Sequence, residues 1–533
     1  RAMSKERLFI FDTTLRDGAQ TTGVDFSVED KRSIALALDV LGVDYIEGGW
    51  PGANPTDTAF FADPPRLARA RFTAFGMTKR SGRSAANDPA LAQVLDSPVD
   101  AICLVGKSWD FQVDVALEIP RAENIDNIAR SIEAVAAKGR EPLLDAEHFF
   151  DGYRANPDYA LACIRAAFDA GAQWLVLCDT NGGTMPEEVY RIVSEVKAKL
   201  PGAALGIHAH NDTEQAVAVT LAAVRGGVRQ IQGTLNGLGE RCGNANLCSL
   251  LPNLLLKEPY ASRFETGVTL EQLARITHVS RLLDEILNRA PSRHAPYVGP
   301  SAFAHKGGLH SSAVMKDPTT YEHVKPESVG NARVIPVSDQ SGRSNVLARL
   351  REAGIEIDAA DPRVARLLDA IKQREFGGYA YDGAEASFEL LARRGLGQVP
   401  AYFSVESFRV SVERRKDGSG FSSETEGVVR LTVAGKKVHS VGTGNGPVNA
   451  LDAALRKDLG KYSSYLSDLR LVDYKVRILT SGTEAVTRVM IESADGRGNR
   501  WSTVGVSENI VDASFEALTD SIIYKLYRDG AGL

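Results

Sequence analysis

The sequence predicts an α/β protein: a (β/α)₈ TIM barrel followed by helical linker subdomains and a C-terminal α+β regulatory domain with duplicated β/α units. Over residues 1–256, short apolar, β-rich runs alternate with helix-length segments whose apolar residues recur every three or four positions. Eight such pairs fit within about 250 residues, the usual size of a barrel. From about Tyr402 onward, longer β-rich runs are each followed by a helix.

The barrel elements follow one another in regular order. The eight predicted strands are residues 8–15, 45–50, 71–77, 101–106, 142–148, 174–180, 205–210 and 230–235. The predicted helices between them include 28–41, 125–138, 159–170, 186–200 and 214–225. An open doubly wound sheet is the alternative, but it would require a glycine-rich turn after its first strand. Here that strand runs into T-T-L-R-D-G, which favours the barrel.

The chain is expected to divide into four parts. These are a catalytic barrel (3–257), a first linker subdomain (258–330), a second (331–400) and a regulatory and dimerisation domain (401–533). In the last part, residues 441–455 align without gaps with residues 504–518, which indicates a duplicated unit. Four of its glycines are expected to leave turn backbone accessible to an effector: Gly442, Gly444, Gly446 and Gly505.

Composition narrows the functional class. Lys and Arg number 62 against 68 Asp and Glu, a net charge of −6, which argues against binding to nucleic acid or an anionic membrane. No apolar run approaches the roughly 18 to 20 residues of a membrane helix, and the N-terminus lacks the form of a signal peptide. The five cysteines form no C-x-x-C pair, so we expect reduced thiols and a cytoplasmic protein.

A divalent metal site is predicted where the barrel strands end. His208 and His210 are two residues apart on the seventh strand, so both side chains lie on one face. Asp17, after the first strand, and Asn244, after the eighth, could add oxygen ligands. This donor set suits Mg²⁺ or Mn²⁺, with Zn²⁺ as an alternative. Two histidines that only form hydrogen bonds are the other interpretation.

Arg16 stands beside Asp17 in R-D-G at the end of the first strand. Its fixed positive charge could stabilise an enolate or alkoxide that develops during a reaction. A surface ion pair with its neighbour is the alternative, and would contribute under about 1 kcal/mol.

The motifs together resemble the 2-isopropylmalate, homocitrate and citramalate synthase family of Claisen-condensing acyltransferases. The matching stretches are F-D-T-T-L-R-D-G-A-Q (11–20), L-G-I-H-A-H-N-D (205–212), N-G-L-G-E-R-C-G-N-A (236–245) and G-G-L-H (307–310). The resemblance implies acetyl-CoA as co-substrate and the following roles in this chain. They are metal ligands Asp17, His208, His210 and Asn244, catalytic residues Arg16, Glu147, His310 and Tyr321, and substrate-binding residues Arg16, Gln20 and Thr180.

Residues 46–55 and 143–153 look like the citramalate-forming branch of that family, which condenses acetyl-CoA with pyruvate. The homocitrate branch carries Glu at the place of Asp17. The nearest alternative is the isopropylmalate-forming reaction with 2-oxoisovalerate. A lyase that cleaves a 3-hydroxyacyl-CoA and a non-catalytic metabolite sensor are more distant alternatives. The resemblance also implies a homodimer inhibited by an amino acid, for which we expect isoleucine.

Overall fold

The computed structural model describes residues 4–305, 310, 313–314, 316–333, 346–347, 349–351, 353–381, 383–418, 420–480, 482 and 485–532. Within these ranges the chain forms two compact units, residues 1–333 and 334–533. The expected division into four parts stays a prediction.

Eight parallel strands close into a barrel in the first unit, which confirms the predicted fold class. The strands are Phe9–Asp12, Tyr45–Gly49, Arg71–Met77, Ala101–Lys107, Glu141–Glu147, Trp174–Asp179, Leu205–Ala209 and Gln230–Gly233. The first strand pairs with the eighth, Phe9 opposite Gln230, and this pairing closes the cylinder.

Helices surround the strands and cover their outward faces. The main ones are Val28–Leu41, Pro55–Ala62, Pro89–Leu95, Arg121–Ala137, Phe149–Ala155, Pro157–Asp169, Pro186–Lys199, Ala216–Gly226 and Leu247–Leu256. The first begins with a capping box between Ser27 and Asp30 and ends at Gly42, whose φ of 99° favours glycine. The principal apolar core lies between this helical layer and the strands.

Inside the barrel, a small apolar cluster that includes Phe11, Tyr45, Leu143 and Val176 fills the interior. The barrel is therefore a packed core and not a pore, as such barrels usually are. The polar side chains that follow the strands lie at the carboxyl-terminal rim, the usual place of the active site in such barrels.

The rest of the first unit is mostly helix and loop, as expected. Its regular elements are the helices Tyr260–Arg263, Leu270–Leu273 and Ile276–Ile286, with single turns at Pro318–Thr320 and Pro326–Val329. A short strand, Phe264–Glu265, pairs in parallel with Glu6–Arg7 near the N-terminus.

The second unit contains two copies of a sheet followed by a helix. The first copy has the strands Phe403–Asp417, Gly420–Val433 and Lys436–Gly444 and the helix Pro447–Lys457. The second has Arg470–Ile478, Thr487–Ala494 and Arg500–Ser507 and the helix Ile510–Arg528. Each sheet is antiparallel. The third strand of each copy lies outside the runs that the sequence predicted. The helices Pro362–Phe376 and Glu385–Gly395 precede the two copies.

The expectation that the glycines leave turn backbone open is wrong for two of the four, because Gly442 and Gly505 are buried. A β-carbon on Gly442 would lie 2.4 Å from Ala454 N, and one on Gly505 would lie 2.0 Å from Ala513 O. Gly444 is partly exposed, although a β-carbon there would lie 2.7 Å from Ala450 N, and Gly446 has open space. Gly442 and Gly505 therefore serve close packing against the helices.

Within the described parts of the chain, no helix is both long and apolar enough to cross a bilayer.

Candidate active site

Four side chains predicted as metal ligands converge at the rim of the barrel. Asp17 Oδ2 lies 3.0 Å from His208 Nε2 and 3.5 Å from His210 Nε2. The two imidazole Nε2 atoms are 3.1 Å apart, and Asn244 Nδ2 lies 2.7 Å from Asp17 Oδ2. All four residues are buried. The structure therefore brings two imidazoles, a carboxylate and an amide to one point.

The barrel order and one loop bring these residues together. His208 lies in the seventh strand, and Asp17 follows the first strand on the far side of the eighth. Asn244 reaches them because the loop after the eighth strand folds back through left-handed residues, including Arg241 and Gly243 with φ of 57° and 91°. Asn244 pairs with His210 in an isolated β-bridge.

Neighbouring charged groups shift the pKa values of Asp17 and His208. Burial opposes ionisation of Asp17, but Arg16 and the two imidazoles hold the pKa of its carboxyl well below its usual range. Burial also opposes the charged form of His208, yet its hydrogen bond to Asp17 raises the pKa of the imidazole. His208 Nε2 and Asp17 Oδ2 lie 3.0 Å apart, within hydrogen-bond distance. A cation between them would meet the same two donor atoms.

The amide of Asn244 supports the same interpretation. Its Nδ2 faces Asp17 Oδ2 at 2.7 Å and His208 Nε2 at 3.3 Å. Its Oδ1 is buried and has no hydrogen-bond partner within the described residues. Turning the amide over would direct this unused oxygen at the imidazole and the carboxylate. The donor set that results, two nitrogens and two oxygens, fits a divalent cation.

Arg16 is held rigidly beside this cluster. Its Nε donates to Glu47 Oε2 at 2.7 Å, and its guanidinium carbon lies 3.8 Å from the centre of the Phe75 ring. Arg16 Nη1 is 3.6 Å from Asp17 Oδ1. The Arg16 side chain is 9% exposed and that of Glu47 is fully buried, so the surface ion-pair interpretation is wrong.

A second group of potential ligands, Glu47, Cys103 and Asp145, lies within the barrel. Burial raises the pKa of Glu47 to about 7, against the pull of Arg16 and with the help of Asp145. Burial, assisted by the two carboxylates, also raises the pKa of the Cys103 thiol well above its usual value. A neutral thiol is a poor metal ligand. This group therefore supports Arg16 and is a weaker candidate for a metal.

Two further buried residues, Gln232 and Asp145, extend the network. His208 Nδ1 lies 2.7 Å from Gln232 Oε1, and Gln232 Nε2 lies 3.2 Å from Asp145 Oδ1. The sequence reasoning missed both. A signal was present, because polar side chains alternate with Ile231 in the eighth strand and so face the barrel interior.

Arg241 connects the cluster to the rim of the sixth strand. Its Nη2 donates to Thr180 O at 2.8 Å and lies 3.1 Å from His210 Nδ1. Its Nε donates to Asp212 Oδ1 at 2.7 Å. Because arginine only donates, His210 Nδ1 accepts here. Coordination through the opposite nitrogen of His210 would require Arg241 to move, and 40% of its side chain is exposed.

Glu147 and Thr180 lie on neighbouring parts of the same rim. Glu147 ends the fifth strand and forms an ion pair with Lys107, a partner that the sequence reasoning missed. Thr180 follows the sixth strand, and its Oγ1 accepts the backbone N–H of His148 at 2.8 Å. Within the described part of the chain its hydroxyl donates no hydrogen bond, so its proton could reach a ligand.

The remaining predicted residues are exposed. Gln20 lies in the turn after Asp17. The rings of His310 and Tyr321 stack with their centres 4.1 Å apart. Within the described residues, neither side chain hydrogen-bonds to the Asp17 cluster, and their catalytic role stays a prediction.

Known proteins match nearly the whole chain. Residues 7–279 match the HMGL-like family, residues 297–375 the "Homocitrate synthase post-HMGL domain-like" family and residues 382–526 the "LeuA allosteric (dimerisation) domain" family. An "(R)-citramalate synthase" of Aquifex aeolicus is 49% identical over 528 residues, 98% of each chain. One of Geobacter sulfurreducens is 50% identical over 523 residues, 97% of each chain. A "Probable 2-isopropylmalate synthase" of Methanopyrus kandleri is 33% identical, over 97% of this chain and 98% of that one.

Proposed function

Because this chain belongs to the (R)-citramalate synthase family, within the HMGL-like enzymes, we propose that it condenses acetyl-CoA with pyruvate and hydrolyses the thioester to release (R)-citramalate and CoA. The main support for the proposal is that the sequence of this chain is 49% and 50% identical to those of two such enzymes over nearly their whole length. The relative named for the isopropylmalate reaction is 33% identical. The chain is therefore an acyltransferase, and pyruvate is the preferred acceptor.

Asp17, His208, His210 and Asn244 are the residues that would hold the metal. A divalent cation bound there supplies a Lewis acid that makes the carbonyl group of a 2-oxo acid electrophilic. Mg²⁺ and Mn²⁺ suit the two oxygen ligands, and Zn²⁺ suits the two imidazoles. The convergence of these four side chains supports the assignment.

Arg16 would stabilise the alkoxide that forms on the former carbonyl oxygen. Its guanidinium is fixed in advance by Glu47 and Phe75, so it need not reorganise as the negative charge develops. Removing one such preorganised donor from an enzyme typically costs about 3 kcal/mol in the transition state.

We assign the removal of a methyl proton from acetyl-CoA to one of the three predicted residues Glu147, His310 and Tyr321. Such a proton is weakly acidic, so the base must act together with stabilisation of the enolate. Thr180 would donate its free hydroxyl proton to the substrate carboxylate, and Gln20 would bind substrate at the open rim.

The duplicated units of the second half of the chain would bind an effector and join two copies of the chain. Their match to an allosteric and dimerisation domain supports this. We expect isoleucine as the effector and a homodimer as the assembly.

Release of free CoA from acetyl-CoA, measured with different 2-oxo acids, tests the proposal. We expect a higher kcat/KM with pyruvate than with 2-oxobutanoate or 2-oxoisovalerate, because an extra methylene in a closed pocket costs about 1–3 kcal/mol. A preference for 2-oxoisovalerate would favour the isopropylmalate reaction. Absence of CoA release with all of them would leave a lyase or a sensor.

A further inference from the structure

A chain of buried polar contacts lies behind His208. Gln232 is 1% exposed and Asp145 is 3% exposed, and both lie in barrel strands. His208 Nδ1 is 2.7 Å from Gln232 Oε1, and Gln232 Nε2 is 3.2 Å from Asp145 Oδ1. These contacts are on the side of the imidazole that faces away from Asp17 Oδ2, which lies 3.0 Å from Nε2.

The donor and acceptor types of these groups determine the orientation of the Gln232 amide. A carboxylate only accepts hydrogen bonds, so the Gln232 atom that faces Asp145 is the NH₂ group. The atom that faces His208 is then the carbonyl oxygen, which also only accepts. The proton of the neutral imidazole therefore lies on Nδ1, and the lone pair of Nε2 points toward the Asp17 cluster.

We propose that Gln232, oriented by Asp145, is a positioning residue that holds His208 in the tautomer and ring orientation needed to bind a metal ion through Nε2. The proposal rests on the metal site assigned above. A hydrogen-bond acceptor behind a ligating imidazole raises its basicity and reduces the freedom of its ring. The amide does this without adding a further charge to the barrel interior.

The same contacts reach the second part of the site. Oxygen atoms of Asp145 and Glu47 belong to one buried cluster whose ligand atoms all lie within 4.8 Å of one another. Glu47 in turn accepts from Arg16, which lies beside Asp17. The barrel interior therefore orients both a metal ligand and the fixed cation through one set of side chains.

The test measures binding of Mn²⁺ to the full-length protein by the electron paramagnetic resonance of free Mn²⁺. Gln232→Met removes the acceptor while keeping the length of the side chain. We expect its affinity for Mn²⁺ to fall about 10- to 100-fold, the usual effect of losing such a supporting residue. The matched control is Gln230→Met, because Gln230 is equally buried in the same strand, two residues away. Its Oε1 accepts from Gln232 Nε2 at 3.4 Å, a longer contact than the one to Asp145, and within the described residues it makes no hydrogen bond with His208.

The double variant Asp145→Asn/Gln232→Glu exchanges the positions of the amide and the carboxylate. Both hydrogen bonds can still form, so this variant should bind Mn²⁺ more tightly than Gln232→Met does. Cooperative thermal unfolding in excess chelator checks that each variant is folded. Gln232→Ala serves as the same test if the Met variant does not fold.

Wild-type affinity in Gln232→Met would overturn the proposal, as would equal losses in Gln232→Met and Gln230→Met. Failure of the wild-type protein to bind Mn²⁺ would instead overturn the metal site itself. The two failures are therefore distinguishable.

Discussion

Asp17 is the residue on which the candidate site depends most, because it contacts both imidazoles and the Asn244 amide within 3.5 Å. Asp17→Asn replaces an anion by a neutral amide in a buried site, and His208→Ala removes a ligand nitrogen. We expect either change to abolish CoA release and Mn²⁺ binding while the chain remains folded.

Enzyme assays and Mn²⁺ titrations check this expectation, with thermal unfolding in chelator as the measure of folding. Cys242→Ser is a suitable control, because the exposed Cys242 lies in the loop near Asn244 without belonging to the cluster. Full activity in a metal-free, chelated sample would contradict the metal requirement.

Glu47 gives the barrel a predictable dependence on pH. Burial raises its pKa from 4.5 to about 7, so the folded state binds a proton more tightly than the unfolded state does. The resulting stabilisation is fully present below pH 4.5 and is lost as pH rises through about 7. At 1.36 kcal/mol per pKa unit, it amounts to roughly 3 kcal/mol.

Urea unfolding in excess chelator, at about pH 5 and about pH 7.5, measures this effect. We expect the free energy of unfolding of wild-type protein to fall relative to that of Glu47→Gln as pH rises, since the variant has no proton to lose there. A difference between the two proteins that stays constant with pH would contradict the prediction.

Side chains at the carboxyl-terminal ends of the strands were easier to predict than those deeper in the barrel. His208 and His210 stood out because their spacing puts two imidazoles on one face of a strand. Asn244 was proposed because it follows the eighth strand, and the family resemblance implied the same role for it. Gln232 and Asp145 were missed because a sequence does not reveal which interior side chains meet across a closed barrel.

The loop after the eighth strand is the element that completes the site. Gly243 adopts a φ of 91°, and a β-carbon there would lie 2.0 Å from Gly237 O. Gly243→Ala should therefore displace Asn244 and weaken Mn²⁺ binding and CoA release, with the barrel still folded. Gly171→Ala is the matched control, because Gly171 has a φ of 100° but open space around it.

Thermal unfolding separates the two effects of these substitutions. Both variants should lose about 1 kcal/mol or more of stability from the unfavourable backbone conformation, but only Gly243→Ala should lose metal affinity. Equal Mn²⁺ binding by both variants would show that the loop does not need its present conformation.

Elements were predictable where their pattern was uniform. The barrel strands alternate with amphipathic helices, and their observed bounds differ from the predicted ones by a few residues. The strands Lys436–Gly444 and Arg500–Ser507 were missed because their runs mix charged residues, serine and glycine among few apolar side chains. Pairing with a preceding strand defines them, and that partnership is not visible in a short window of sequence.

The whole chain combines a catalytic barrel with a unit that resembles an allosteric domain. We expect isoleucine to bind the full-length protein and to inhibit CoA release, with a coupling of about 1–3 kcal/mol between the two sites. Because Gly442 and Gly505 are buried against helices, the effector cannot use the backbone groups of these two glycines.

Calorimetry and inhibition assays with isoleucine, leucine and valine check this prediction on the intact protein. By linkage, pyruvate should weaken isoleucine binding by the same factor as isoleucine weakens pyruvate binding. If none of the three amino acids binds or inhibits, the second unit would keep only a role in dimerisation.

Closure of the barrel between its first and last strands also has a consequence for synthesis on the ribosome. Asp17 and Asn244, which touch in the folded protein, are 227 residues apart in the chain. At about 5–20 residues per second, roughly 11 to 45 s pass between their translation. Throughout that interval the first strand lacks its partner on one side, so the nascent chain exposes an open sheet edge. A chaperone that shields such edges would therefore be needed most before Gln230 is added.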